Sequence, residues 1–273
     1  MVDVKKNIQD KNISDFTKEN ISKYKKINIH EILKLLKKEF DSAAQAKRCF
    51  EKYYDIEGHK YYHMTEKEIL ESWNKKASDS RALGNKVDTY IQLLLEGKNR
   101  DIKLFNLDND IENDPELLGK CKAIDNLMLN FKKLKLSYLI KEEPLYFIYN
   151  DKYIFSGRED CIFEGPDRLV LVDWKSSKVV TSNNYGEKMY GPMKNFDDCN
   201  WIEYTLQIYF YKYFLIHTYN IDIPIDPYII EFRIKDEITK IGEYHVYKPA
   251  FEYDEKLIEK IFEYAINKKE ILT

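Results

Sequence analysis

The four cysteines, Cys49, Cys121, Cys161 and Cys199, lie far apart, and no CxxC pair occurs. Zinc and iron–sulfur ligand spacings are therefore excluded, and free buried or half-buried thiols in a reducing compartment are the reading that remains. No apolar run approaches the roughly 18 residues of a membrane span, and the N-terminus lacks the apolar core of a secretion signal. A soluble intracellular protein with no membrane partner is expected. A surplus of charge is missing too: 44 Lys and Arg stand against 47 Asp and Glu, a formal net charge of −3. A general positive field is thus absent, and contact with a polyanion would need a local basic groove or a bound cation. Internal repeats and helicase motifs are also absent.

Aromatic and apolar residues are abundant. The chain has 273 residues, 44% of them hydrophobic, with 22 tyrosines; this is ample for one large core. Richness in Tyr, Lys, Asn and Ile is read first as the mark of an AT-rich coding composition; base-stacking surfaces are the alternative and would require the rings to gather along one groove. Residues 1 to about 28 are polar and charge-dense and read as a loosely held, flexible arm. From His30 to about Phe50 apolar residues recur at helical spacing, with Lys34, Lys37 and Lys38 on the solvated side. Thr65-Glu66-Lys67-Glu68 is a capping box opening a helix through Trp73. Ser80 to Glu96 reads as a second helix that Gly97 ends, and Asp114-Pro115 opens a third to about Leu136.

Tyr153 to Lys178 carries the chemistry. Phe155 to Phe163 and Leu169 to Trp174 read as strands, and Glu164-Gly165-Pro166-Asp167-Arg168 between them is turn chemistry. A four-residue loop with Pro166 in the turn pairs Asp160 with Asp173. Directly opposed side chains lie about 4.5–5.5 Å apart at Cβ, where like charges repel. A divalent cation would relieve the repulsion, since Mg²⁺ is held by one or two carboxylates plus water and phosphate oxygens. Lys175, two residues beyond Asp173, falls on the same face. Two carboxylates and a lysine on one sheet face suit metal-assisted phosphodiester cleavage. The same register sets Arg158 against Lys175, so either the strands splay there or the register slips by a residue.

A strand from Ser137 to Tyr149 precedes the hairpin. Within it Glu142 or Glu143 must face the acidic pair by alternation, with Glu142 favoured; two solvated edge charges are the plainer reading. Residues 179 to 200 form a long irregular segment that reads as a substrate-facing lid carrying Lys188 and Lys194. Trp201 to Tyr219 reads as an aromatic helix covering the sheet, in which Gln207 would need a hydrogen-bond partner if buried. Ile229 to Ile234 and Glu243 to Tyr247 read as strands, and Asp254 caps a last helix. The order predicts an α/β fold with a mixed central sheet flanked by helices, plus N-terminal helical additions. One domain over 29–273 is expected, with a helical part at about 30–136 and a core at about 137–273.

These residues resemble the PD-(D/E)xK nucleases, and within them the RecB-like exonuclease branch. Gly157-Arg158-Glu159-Asp160 matches the G-x-x-D element, Asp173-Trp174-Lys175 matches D-x-K, and Gln207 and Tyr211 match the Q-x-x-x-Y helix signature. The match covers residues 80 to 215, and the stretch from Tyr185 to Tyr211 looks like exonucleases of phages and large DNA viruses. Many members carry a His in a G-x-x-x-H element; here Gly84 to Val87 are followed by Asp88. The literal Pro166-Asp167 lies in the turn, too far from Asp173 to oppose it.

The resemblance implies a restriction-endonuclease-like core and a divalent-metal-dependent deoxyribonuclease, an exonuclease of DNA recombination, repair or replication. Asp160, Asp173 and Lys175 would be catalytic. Mg²⁺ or Mn²⁺ would be bound by Asp160 and Asp173, with Glu142 and Asp88 as further ligands. Gln207, Tyr211, Tyr204, Lys178 and Lys188 would contact DNA. A helicase or recombinase would be a separate chain, and the setting would be the cytoplasm or a host-cell replication compartment. A non-catalytic nucleic-acid-binding module and an RNA endonuclease on the same fold are the rival readings.

Overall fold

Leu169-Val-Leu-Val-Asp-Trp-Lys175 is apolar toward both sides for most of its length, the pattern of a strand covered on both faces. In the computed structural model, which describes residues 4–15, 21–98, 107–176, 179–183, 186–236 and 238–272, it is the middle strand of a five-stranded mixed sheet. The order is β2 (Ser137–Ile140), β5 (Cys161–Glu164), β6 (Leu169–Lys175), β7 (Ile225–Asp236) and β8 (Ile241–Tyr247). β6 and β7 run parallel and the other pairs antiparallel. A parallel pair needs a long crossover, and α7 (Asn200–His217) lies on that connection.

Alternation along β6 divides the core. Leu169 and Leu171 face a cluster that includes Leu206, Phe210 and Phe214 of α7 and Ile258 and Phe262 of α8 (Glu255–Leu272). Val170, Val172 and Trp174 face the opposite cluster, built with Val87 and Ile91 of α4 (Glu66–Leu95) and Ile124, Leu127 and Phe131 of α6 (Pro115–Lys133). Helices therefore cover both faces of the sheet. α6 approaches β8 backbone to backbone: a Cβ on Gly242 would lie 1.9 Å from the Gly119 carbonyl oxygen. No helix among the described residues is long and apolar enough to cross a membrane.

A second sheet of three strands sits beside the first, in the order β1 (Lys25–Asn28), β4 (Tyr153–Arg158) and β3 (Pro144–Tyr149). The expected strand Phe155 to Phe163 is thus two strands, β4 and β5, in different sheets, with the chain turning at Glu159 and Asp160. The expected strand Ser137 to Tyr149 is likewise split into β2 and β3 around residues 141–143. The N-terminal residues are not a loose arm where they are described. α1 (Val4–Asp15) buries Val4 and Ile8. Its Asn7 amide donates to the Tyr219 carbonyl at 2.7 Å, and its Asn12 amide to the Pro144 carbonyl at 3.0 Å. β1 then pairs in parallel with β4.

The helix expected from His30 to Phe50 is two, α2 (Ile29–Leu35) and α3 (Ser42–Tyr53), because the Asp41 carboxylate accepts from the Ala44 amide and starts a new N-terminus. Conversely, Thr65 opens one 30-residue helix rather than two, with both halves of the capping box formed. The remaining helix, α5 (Leu107–Asn113), precedes Asp114, whose side chain caps α6 as expected. All four cysteines are free and buried.

Candidate active site

The hairpin register is the expected one. Cys161 pairs with Val172, Ile162 with Leu171 and Glu164 with Leu169, while the Gly165 amide donates to the Arg168 carbonyl across the turn at 2.9 Å. Asp160 is the next residue before this ladder, beside Asp173. Its Oδ2 accepts from the Trp174 amide at 2.7 Å, so a β6 backbone donor fixes the carboxylate. The clash expected between Arg158 and Lys175 does not arise. The chain has left the five-stranded sheet by then, and Arg158 pairs with Pro144 in the other sheet.

On the α7 side of the sheet the apolar face gives way to charge at the C-terminal end of β6 and beside it on β7; in open α/β sheets ligands bind at the C-terminal ends of parallel strands. Leu169 and Leu171 lead to Asp173 and Lys175 along β6, and Ile229 leads to Glu231 along β7, with Lys175 and Glu231 adjacent in register. Asp173 is 1% exposed. The Lys175 ammonium lies 2.9 Å from its Oδ1 and 2.7 Å from its Oδ2 and stands over the Tyr204 ring, 4.4 Å from the centroid. Burial pushes the Asp173 carboxyl upward and the neighbouring Asp160 adds to this, while Lys175 opposes it. Burial alone would depress Lys175, but the charges of Asp173 and Asp160 outweigh it and hold the ammonium above the ordinary lysine range.

Asp88 reaches the same centre from α4. Gly84 and Asp88 are four residues apart and share a helix face, and a Cβ on Gly84 would stand 3.5 Å from the Ser176 Oγ just past β6. Burial, followed by the charge of Asp160, pushes Asp88 up to about 6, with Lys141 and Lys175 opposing. Glu142 contributes to the same field. It does not sit in a strand, however, so the alternation argument for it fails. It has a left-handed φ of 55° in the connection from β2 to β3, is exposed, and is ion-paired to Lys141 at 2.6 Å. Among the described residues no group of three or more His, Cys, Asp or Glu side chains is arranged to hold a metal ion. The carboxylates brought together are Asp160 and Asp173, with Asp88 and Glu142 in electrostatic range.

α7 supports the bend from behind. The Tyr211 hydroxyl donates to the Arg158 carbonyl at 2.5 Å, and Gln207, one turn earlier on α7, lies close enough to Tyr211 to favour its charged form. Gly157 makes room for this contact, since a Cβ there would lie 2.9 Å from the Tyr211 ring and 2.6 Å from Ile29. Gln207 and Tyr211 are both buried, and Tyr211 holds the backbone on which Asp160 turns. Lys188 is tied to Asp197 at 2.6 Å. Its segment is pinned rather than open, with Met189 and Met193 buried and the Tyr190 amide bonded to the Leu36 carbonyl. Lys178 lies outside the described residues. Asp167 is an exposed hairpin-tip residue paired with Arg168.

Two buried acids escaped the sequence reading. Glu231 is 1% exposed; its Oε2 accepts from the Val180 amide and the Tyr247 hydroxyl, while Oε1 is buried without a hydrogen-bond partner. Glu159 is fully buried, accepts from the Glu143 amide at 3.2 Å, and is raised well above the ordinary carboxyl range by burial. A charged residue inside the apolar run Ile229-Ile-Glu-Phe232 was the available signal for Glu231, but its neighbour Lys175 follows only from the parallel register. Lys120 was also missed. This buried α6 residue donates to the Ser176 carbonyl at 2.5 Å, tying down the end of β6. An apolar cleft of about 680 Å³ lies at the other end of the hairpin, beside Leu134, Pro166 and Tyr228, and contains none of these groups.

No protein-family model matches the sequence, and no curated protein matches it. Among solved structures, a candidate exonuclease from Eubacterium rectale is similar at 13% identity and a TM-score of 0.39, over 68% of this chain and 65% of that one. The chain thus spans less than two thirds of that protein. A protein named SSO0001 is similar at 10% identity and a TM-score of 0.35, over 98% of this chain and 86% of that one.

Proposed function

We propose that the chain is a PD-(D/E)xK nuclease of the RecB-like kind, a divalent-metal-dependent exonuclease that hydrolyses DNA phosphodiester bonds during recombination, repair or replication. The observation that carries this reading is the convergence of Asp160, Asp173 and Lys175 at the bend between the two sheets, with one carboxylate held by a backbone amide and the other by the lysine. Two repelling carboxylates offer hard oxygen donors, and such pairs hold Mg²⁺ with water and phosphate oxygens completing the shell. Asp160 and Asp173 would hold the ion, with Asp88 and Glu142 adding negative field. A bound Mg²⁺ or Mn²⁺ would supply Lewis-acid stabilisation of the phosphate and a water that ionises more readily.

The remaining work falls to the chain itself. Lys175, held above the ordinary lysine range, stays protonated and places a fixed positive charge where charge develops on the phosphate, an arrangement that needs no reorganisation during reaction. The Tyr204 ring and Asp173 fix the direction of that ammonium. Tyr211 holds the Arg158 carbonyl, and so sets the position of Asp160 two residues later.

The test is digestion of labelled linear, circular and end-blocked DNA, with RNA alongside, in Mg²⁺ or Mn²⁺. Degradation from ends that is lost in Asp173→Ala and Lys175→Ala supports the reading. Binding without cleavage under either metal overturns it in favour of a binding module, and digestion of RNA alone in favour of a ribonuclease.

A further inference from the structure

Beside the bend, at the end of β4, lies a polar cleft of about 370 Å³ lined by Asn28, His30, Pro144, Ser156, Gly157 and Arg158. None of its lining residues is acidic. Arg168 and Arg233 are locked onto carboxylates at 2.9 Å. The exposed Arg158 side chain has no ion pair or hydrogen bond among the described residues. Its backbone, by contrast, is fixed twice, by the Tyr211 hydroxyl on its carbonyl and by pairing with Pro144. The guanidinium is therefore a free fork of donors hung from a rigid point.

The other linings add donors of the same kind. Asn28 uses its side-chain oxygen to accept from the His30 amide at 2.9 Å, which leaves the NH₂ group free to donate. The His30 ring and the Ser156 hydroxyl make no hydrogen bond or ion pair among the described residues. Guanidinium, amide and hydroxyl donors converging without a carboxylate make an anion site, and a guanidinium fork fits phosphate bidentately.

We propose that this cleft binds a phosphate group of the substrate strand within a few nucleotides of the scissile one. The assignment rests on the nuclease reading for its position along the strand, because Arg158 precedes Asp160 by two residues and two residues of extended chain span at most about 7 Å. The two backbones therefore lie close together, which puts a phosphate held by Arg158 within a few nucleotides of the scissile one. The phosphate can be an internal phosphodiester or a terminal 5′-phosphate, and both present the same oxygens to the fork.

The experiment is fluorescence anisotropy of the full chain with short single-stranded DNA, 5′-phosphorylated or 5′-hydroxyl, without divalent ions so that binding is read apart from cleavage. Arg158→Ala is expected to weaken binding about tenfold, the size of one charge-assisted contact, and to flatten the salt dependence by about 0.7 in log–log slope, one phosphate's share on a single strand. His30→Ala is expected to weaken binding in the same direction, and circular dichroism verifies that both variants fold. Equal loss on both oligonucleotides assigns an internal phosphodiester; loss confined to the 5′-phosphorylated one assigns the terminal phosphate. Unchanged affinity and salt slope in Arg158→Ala would overturn the site even if the protein cleaves DNA. Loss of binding in a protein that cleaves nothing would leave the site standing and remove the nuclease reading.

Discussion

Asp88 is held half-buried within the field of Asp160, and its carboxyl rises from 3.8 to about 6 on folding. Between those values the folded state binds more protons than the unfolded chain, so this residue's contribution to stability declines as pH rises through that window. Above pH 6 the penalty is fully present. Asp88→Asn removes it, and the metal-free variant should exceed the parent by about 1–3 kcal/mol in urea unfolding at pH 8, with the gain shrinking toward pH 4. An equal gain at both values would contradict the assigned burial and repulsion. Tyr211 makes a second residue-level test. Tyr211→Phe leaves the Arg158 carbonyl without its 2.5 Å donor, for a loss of about 1–2 kcal/mol. Cleavage should fall in that variant with little change in substrate affinity, because the hydroxyl orients Asp160 through the backbone. Unchanged stability and cleavage together would remove Tyr211 from its positioning role.

At the scale of elements, the most informative feature is the turn between β4 and β5. Residues 155–163 alternate well enough to read as one strand, and nothing local marks Glu159 and Asp160 as a change of sheet. The switch is a tertiary choice, made by pairing β4 with β1 and β3. It also releases Arg158 from the opposition to Lys175 that an unbroken hairpin would impose. The hairpin register was legible because Gly165 and Pro166 set the turn and the buried face set the alternation. β1 was not, since Lys25-Lys-Ile-Asn28 buries a single apolar residue, Ile27. Nor was α1, whose docking depends on Asn7 and Asn12 reaching carbonyls far along the chain. The α6–β8 crossing also has a local test. A methyl at residue 242 would overlap the Gly119 carbonyl, so Gly242→Ala should destabilise by about 3 kcal/mol or more, with a lower thermal midpoint. A shift within 1 °C would show that the two elements can separate without loss.

Across the whole molecule, the candidate site is assembled from distant parts of the chain: Asp88 from α4, Asp160 from the bend, Asp173 and Lys175 from β6, and Gln207 and Tyr211 from α7. The three central residues were readable because they fall within one hairpin. Glu231 was not, because its place beside Lys175 depends on a parallel pairing reached through α7. An ion bound at the carboxylate pair binds the folded state alone, so Mg²⁺ or Mn²⁺ should stabilise the whole domain by about 2.7 kcal/mol at a hundredfold excess over Kd. The rise in thermal midpoint should disappear in Asp173→Asn, and a rise that persists there would place the ion elsewhere. The most direct measurement of the central claim is the Mg²⁺-dependent release of nucleotides from end-labelled linear DNA by the parent chain and by Lys175→Ala, with folding verified by circular dichroism. The account predicts metal-dependent degradation by the parent and its loss in the folded variant. Equal degradation by both, or none by the parent in either Mg²⁺ or Mn²⁺, would contradict it.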